Sequence, residues 1–525
     1  MGFAKSKFWI FLSLCILGFI LCFNPLQAII ASVPTVTFEL TNSSISENTL
    51  TTSLVVNLSA SSSQEITVDY LVTGGTANNT NWGSGQDYTL TQGTLTFAPG
   101  IVTQNISLSI IDDSIQEADE TIKIKLLHPQ NVSIGENSLH TMRLIDNDRG
   151  AIFDVVKDFG AAGDGITDDT KAIQTAVDSV YEQGGGVIVF PPRVYIVTSV
   201  NLKENITYQG YKATIKRPDN QDKWTRTFIA NYAGEANSQP LIIKGFTFDG
   251  NSKNQGDYQK YELEQAHLIF LVGDPKLPGK LQAFIEDCNF IDGVADGISV
   301  YTNVSVKVFN CEAVNVFRGG FVLTGGNSEA EVYSLTTRGE TDDTGIDIEV
   351  DGEGYGGSLK VDVKLENLNL INGNFDIAVS DSSTVTGNDI ISDAPFYIFS
   401  RNSTMKFTNS QFKVGATDGY MNRIVFPYNI TFENCDFYVT RKETKRPYSF
   451  FSVADVWWQH PSYERQSNQL LVFRNCSFKV DSNIKKTDKT YAIYLRRDAE
   501  LANNRLVLDT VDISQNFNVG IFRQK

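Results

Sequence analysis

Between Val33 and Asp148, apolar and polar residues alternate in short runs: Thr51–Leu58, Glu65–Val72, Gly93–Phe97, Asn105–Ile111 and Thr121–Leu127. Gly74-Gly75, Gly83-Ser84-Gly85 and Pro99-Gly100 break them. Regular period-two segments separated by turn residues predict an antiparallel β-sandwich. After Arg149-Gly150 the texture changes. Ala172, Ile173, Ala176 and Val177 fall on one face of a single helix, which Gly184-Gly185-Gly186 ends before the strand Val187–Phe190. Asp168 or Asp169 is expected to cap that helix, and the acids of this stretch are assigned to capping and tight turns rather than to chemistry.

The remainder repeats a strand, an Asn turn, a small residue and another strand. Phe284–Phe290, Val308–Cys311, Leu365–Leu370, Phe407–Phe412, Phe432–Phe437 and Phe473–Phe478 share this form. Cys288 lies 23 residues before Cys311, and Ser410 lies 25 before Cys435. A period in the low twenties predicts stacked coils, each burying its apolar side only against its neighbours. The Asn residues are expected to form a ladder at one corner, and Cys288, Cys311, Cys435 and Cys476 to fill a small inward slot.

Composition narrows the partners. The 525 residues carry a net charge of −17, and forty glycines stand against fourteen prolines. A phosphate backbone repels such a chain, so nucleic acid is not an expected partner. Residues 1–31 combine Lys5 and Lys7 with the apolar run Phe8–Phe23 and small residues near Ala28 and Ala31. This reads as a secretory signal peptide, with an uncleaved membrane anchor as the alternative, and places the protein outside the cell or on its surface. Four cysteines beyond it are too few for a disulfide scaffold. The four histidines show no zinc spacing.

Residues 33–148 hold thirteen Asp and Glu against three Lys and Arg, a net of −10. Many of these acids fall where strands end, as a solvated rim or as hard oxygen ligands for a cation. Ser46-Glu47-Asn48, Gln86–Leu90, Gly93–Gly100, Ile110–Asp113 with Glu117 and Asp119-Glu120-Thr121, and Ile145–Asp148 occur in order. Together they resemble the Calx-β domain. The resemblance implies Ca²⁺ held at one end of the sandwich by Glu47, Asp87, Asp112, Asp113, Glu117, Asp146 and Asp148. Asn147 stands where calcium-binding members can carry a further Asp.

Residues 150–525 resemble the pectate-lyase-like right-handed parallel β-helix, in the branch related to polygalacturonases and to rhamnogalacturonase and epimerase enzymes. Asp154–Gly160 through Asp168-Asp169-Thr170, Gly245–Asn251 and Gly345–Glu349 carry the likeness. The expected fold class is therefore all-β, a sandwich followed by a parallel β-helix with one capping helix. Aligning Asp296–Val300, Gly319–Leu323 and Thr344–Ile348 stacks Ile298, Phe321 and Ile346 inward and turns Asp347 and Glu349 outward. Asp296, Arg318 and Asp343 then stand at the starts of three successive rungs. Glu340, Asp342, Asp351, Glu353 and Asp376 crowd the same region. An arginine among carboxylates suits an acidic sugar, with Arg318 clamping a uronate and a carboxyl among Asp296, Asp343, Asp347 and Glu349 acting as acid or base.

The Asn-Thr-Asp, Gly-His-Gly and Arg-Ile-Lys motifs of polygalacturonases are absent, as is Asp-Pro-His-Asp of epimerases. Lyase and hydrolase chemistry therefore both stay open. The sequence points to a calcium-binding protein that binds and cleaves an acidic polysaccharide; the alternative is a non-catalytic surface or matrix protein that only binds glycan. The segment Arg441–Arg465, with Trp457 and Trp458, is expected to loop off the helix.

Overall fold

The computed structural model describes residues 33–523 apart from 80–85, 114–118, 149, 223, 235–238, 257–262, 264, 340–344, 351–358, 374, 381, 394–395, 401, 415–422, 426–428, 440–447, 455–469, 481–489, 496–504 and 514–518. The sequence-predicted signal segment lies outside them.

Two five-stranded sheets make up the first unit. One runs Tyr88–Thr89, Thr103–Ile110, Thr51–Leu58, Thr35–Phe38, Ser133–Ile134; the other runs Asn42–Ser46, Leu139–Ile145, Glu120–Gln130, Ile66–Gly75, Gly93–Phe97. Pairing is antiparallel except for Thr35–Phe38 with Ser133–Ile134 and Asn42–Ser46 with Leu139–Ile145. The alternating inward residues, among them Val36, Phe38, Val56, Ile66, Phe97, Ile122 and Leu144, form one core. This is the sandwich that the period-two pattern predicts.

From Ile152 onward the strand pairings of the described residues are parallel, in a 20-stranded sheet that turns a corner and a 12-stranded sheet facing it. The helix Thr170–Glu182 covers the first coils with Ile173, Ala176, Val177 and Val180. Its cap departs from expectation. Asp169 holds the N-cap position, but its carboxylate turns away and accepts from the backbone N–H groups of Ala162, at 2.6 Å, and Gly163, at 3.1 Å. Asp168 accepts from Thr170 N–H at 2.9 Å, and Asp164 from Ile166 and Thr167. These acids tie down turns.

Ile298, Phe321 and Ile346 are in register and buried, as are Val300, Leu323 and Ile348. Longer aromatic columns run through later coils. Phe407, Phe432 and Phe473 stack at 5.3 and 5.2 Å, and Phe412, Phe437 and Phe478 at 5.6 and 4.8 Å. At the corner beside them, Asn409, Asn434 and Asn475 adopt left-handed backbone, which Asn tolerates better than most residues. Their amides hand hydrogen bonds along the axis, Asn475 to Asn434 at 2.7 Å, Asn434 to Asn409 at 3.1 Å and Asn409 to Asn388 at 2.9 Å. Cys288, Cys311, Cys435 and Cys476 are buried free thiols that pack inward.

One expectation is corrected. Within Arg441–Arg465, Tyr448–Ala454 is a strand of the 12-stranded sheet, paired with Arg423–Val425 and Thr490–Leu495. That part belongs to a coil, while Trp457 and Trp458 lie outside the described residues. Among the described residues no helix is long and apolar enough to cross a membrane.

The two units meet in a buried contact. The Lys244 ammonium of the β-helix pairs with Glu120 of the sandwich and, at 3.4 Å, with Glu286 on the adjoining strand. Beside it a polar cavity of about 540 Å³ opens between Gly75 and Thr76 of the sandwich and Tyr211, Asp287, Glu312 and Arg338 of the β-helix.

Candidate functional site

The 12-stranded sheet sets the geometry of the first site. Asp296 opens one strand, Arg318 directly precedes the next, and Asp347 is the third residue of Gly345–Val350. Neighbouring rungs are about 4.8 Å apart, so residues distant in sequence share one edge. Nε of Arg318 lies 3.5 Å from Oδ1 of Asp296, and its Nη2 lies 4.0 Å from Oδ2 of Asp347. The arginine thus bridges the two carboxylates that the rung alignment put beside it.

Exposure divides their roles. The Asp296 side chain is 1% exposed, whereas those of Arg318 and Asp347 are 21% and 27% exposed. Asp296 is a supporting group behind Arg318, and solvent reaches Arg318 and Asp347. Glu349 lies two residues beyond Asp347, exposed on the same outer face, and Asp376 is in register with Asp347 on the following rung. Loss of water around the carboxyl, together with Glu349 and Asp376, pushes the Asp347 pKa well above the usual carboxylate range; Arg318 opposes the shift. Asp343, with Glu340, Asp342, Asp351 and Glu353, lies outside the described residues.

His267 completes the site and was missed from sequence. Its Nδ1 lies 2.9 Å from Oδ2 of Asp296, and it is 2% exposed overall. Its ring stacks on Phe270 at 5.4 Å, and the Arg226 guanidinium lies 3.8 Å over the same phenyl ring. The signal was present. Aligning His267-Leu268-Ile269 with Asp296-Gly297-Ile298, whose Ile residues are in register, puts His267 and Asp296 in one column.

The second candidate is the acidic end of the sandwich. Glu47 donates its backbone N–H to Ile145 O, next to Asp146, and Ile111 N–H bonds to Asp87 O, next to Asp112. Glu47, Asp87 and Asp146 are buried; Asp112 and Asp148 are exposed, and Asp113 is intermediate. The Asn147 amide donates to Asp112 at 3.1 Å and to Asp148 at 3.3 Å, and Asp148 N–H donates to Asp146 at 2.7 Å. Burial, then Asp87 and Glu120, raises the Tyr88 phenol to about 12. These bonds link the strand ends that carry Glu47, Asp146 and Asp148 with those that carry Asp87 and Asp112; Asp113 follows Asp112 in sequence, and Glu117 lies outside the described residues. Among the described residues no three His, Cys, Asp or Glu side chains already form a cage around one point. As a donor set, carboxylate oxygens without nitrogen or sulfur, three of the six side chains being buried, fit a hard cation.

Comparison with known proteins agrees with this division into two modules. Residues 30–148 match the Calx-beta domain, and residues 152–362 match the family described as rhamnogalacturonase A/epimerase, pectate lyase-like. The order of the two matches is thus a Calx-beta-like module first and a pectate-lyase-like one after it. Mannuronan C5-epimerase AlgE5 of Azotobacter vinelandii is 36% identical over 110 residues, 19% of this chain and 11% of that protein. The sodium/calcium exchanger Calx of Drosophila melanogaster is 26% identical over 166 residues, 31% of this chain and 16% of that protein. The chain therefore spans only a small part of the length of these relatives. Among solved structures, the A-module of Azotobacter vinelandii mannuronan C-5 epimerase AlgE4 is 16% identical, covering 71% of this chain and all of that one with a TM-score of 0.42.

Proposed function

We propose that this is an exported, calcium-binding protein whose β-helix acts on an acidic, uronic-acid-containing polysaccharide by proton transfer at Asp347. The observation that carries the reading is Arg318, which reaches both a buried carboxylate and an accessible one of raised pKa. Arg318 offers a planar fork to a sugar carboxylate. Neutralising that carboxylate acidifies the hydrogen on carbon 5, and an ionised carboxylate of raised pKa is a stronger base for removing it. Asp296 and His267 act as positioning residues that hold Arg318. The relative that modifies mannuronan supports a uronate as the reacting sugar. The acidic end of the sandwich, through Glu47, Asp87, Asp112, Asp113, Glu117, Asp146 and Asp148, would hold Ca²⁺.

Hydrolysis is the second reading, favoured by the register of Asp347 with Asp376. Two carboxyls on adjoining rungs approach the spacing of about 5 Å used by retaining glycosidases. Incubating the intact protein with uronate polymers, with and without EDTA, separates the outcomes. Unsaturated ends absorbing in the ultraviolet indicate elimination, and deuterium taken from D₂O at carbon 5 without cleavage indicates epimerisation. New reducing ends alone indicate hydrolysis. Retention of the polymer with no product makes the β-helix a binding module and overturns the catalytic reading.

A further inference from the structure

The calcium reading leaves one buried group unexplained. Lys244, Glu120 and Glu286 are all at most 5% exposed, yet they come from both modules. A lysine is almost never buried so fully unless it is paired. Here one ammonium pairs with two carboxylates, one from each module. Glu120 starts the strand Glu120–Gln130 and pairs in register with Leu144, two residues before Asp146. That puts it at the acidic end of the sandwich, where Tyr88 senses it together with Asp87. Lys244 is therefore a cation delivered by the β-helix to a carboxylate of the sandwich.

We propose that Lys244 is a built-in competitor for the cation taken by the acidic end, so that metal binding and the seating of the sandwich on the β-helix are coupled. The inference rests on the calcium reading above and adds Glu120 to the groups the ion would draw on. Two arrangements keep the lysine compensated. Without the ion, its ammonium is shared between Glu120 and Glu286. With the ion, Glu120 turns toward the metal and Lys244 remains with Glu286, its in-register neighbour. Gln209, in register with Lys244 on its other side, keeps a buried side-chain oxygen without a hydrogen-bond partner among the described residues. That oxygen stands ready to replace Glu120 as acceptor. An element with two satisfied states is what coupling between sites requires.

Calorimetric titration of Ca²⁺ into the intact chain tests this. Lys244→Met removes the competitor and should tighten calcium binding by roughly tenfold, within the usual range of coupling. Glu286→Gln has the opposite effect, because it leaves the lysine to lean on Glu120, and should weaken binding several-fold. Lys244→Arg keeps the charge and should stay near wild type. Circular dichroism establishes that each variant is folded, and the opposed signs cannot come from a general loss of structure. Equal affinities for wild type, Lys244→Met and Glu286→Gln would overturn the competition while leaving the calcium site intact. Absence of binding to folded wild-type protein at millimolar Ca²⁺ would remove the calcium reading itself, and this inference with it.

Discussion

Asp347 is where a single side chain has the most to reveal. Its folded pKa is raised from an ordinary value of 3.8 by loss of solvent and by Glu349 and Asp376. A raised carboxyl pKa means that ionisation costs more in the folded protein than in the unfolded one. Wild-type stability should therefore fall as pH rises from about 3.8 toward the raised value, and level off beyond it. Asp347→Asn removes that slope, so thermal midpoints of mutant and wild type should diverge with rising pH in favour of the mutant. The same substitution should lower kcat on the active polymer by about 10²-fold or more. Asp296→Asn acts differently. It takes the negative charge from behind Arg318 and His267 without touching the solvent-facing groups. Its expected signature is a lower thermal midpoint and a higher KM, with a smaller change in kcat than Asp347→Asn.

At the scale of strands and turns, much was legible from spacing alone. The runs Thr51–Leu58 and Gly93–Phe97 are strands with the predicted bounds, because alternation against one core fixes both register and length. Ile298, Phe321 and Ile346 were assigned inward from three aligned segments, and the register agrees. His267 escaped because no repeated Asn or Cys marks its rung, and Asp169 misled because a capping residue and a loop anchor look alike in sequence. Tyr448–Ala454 was hidden among basic and aromatic residues that gave no turn signal. The corner ladder offers a measurable separation of strain from hydrogen bonding. Asn434→Gly loses the amide bonds to Asn409 and Asn475 but keeps the left-handed turn at φ 55°. Asn434→Ala loses both, and should be less stable than the glycine variant by about 1 kcal/mol in chemical unfolding. Phe432→Ala, in the middle of a buried column, should cost about 3–5 kcal/mol.

For the whole molecule, the change of hydrophobic pattern after residue 150 is what predicts a sandwich followed by coils, and the sheets do separate between Leu139–Ile145 and Ile152–Asp154. The joint is different. Lys244 sits in an apolar strand, Leu241–Asp249, and nothing around it in sequence names Glu120, 124 positions earlier, as its partner. Contacts between modules depend on relative orientation, which neither module encodes alone. If the acidic end takes Ca²⁺, EDTA should lower the melting transition of the sandwich far more than that of the coils. Differential scanning calorimetry with and without chelator would resolve the two transitions.

Stacking also governs how the molecule bears load. Each coil is bonded to the one before and the one after, so tension applied along the axis meets the bonds of one coil at a time. Pulled from its carboxyl end in an optical trap, the β-helix should peel in a staircase rather than rupture at once. The coil from Cys288 to Cys311 takes 23 residues, and so would release about 75–80 Å of slack.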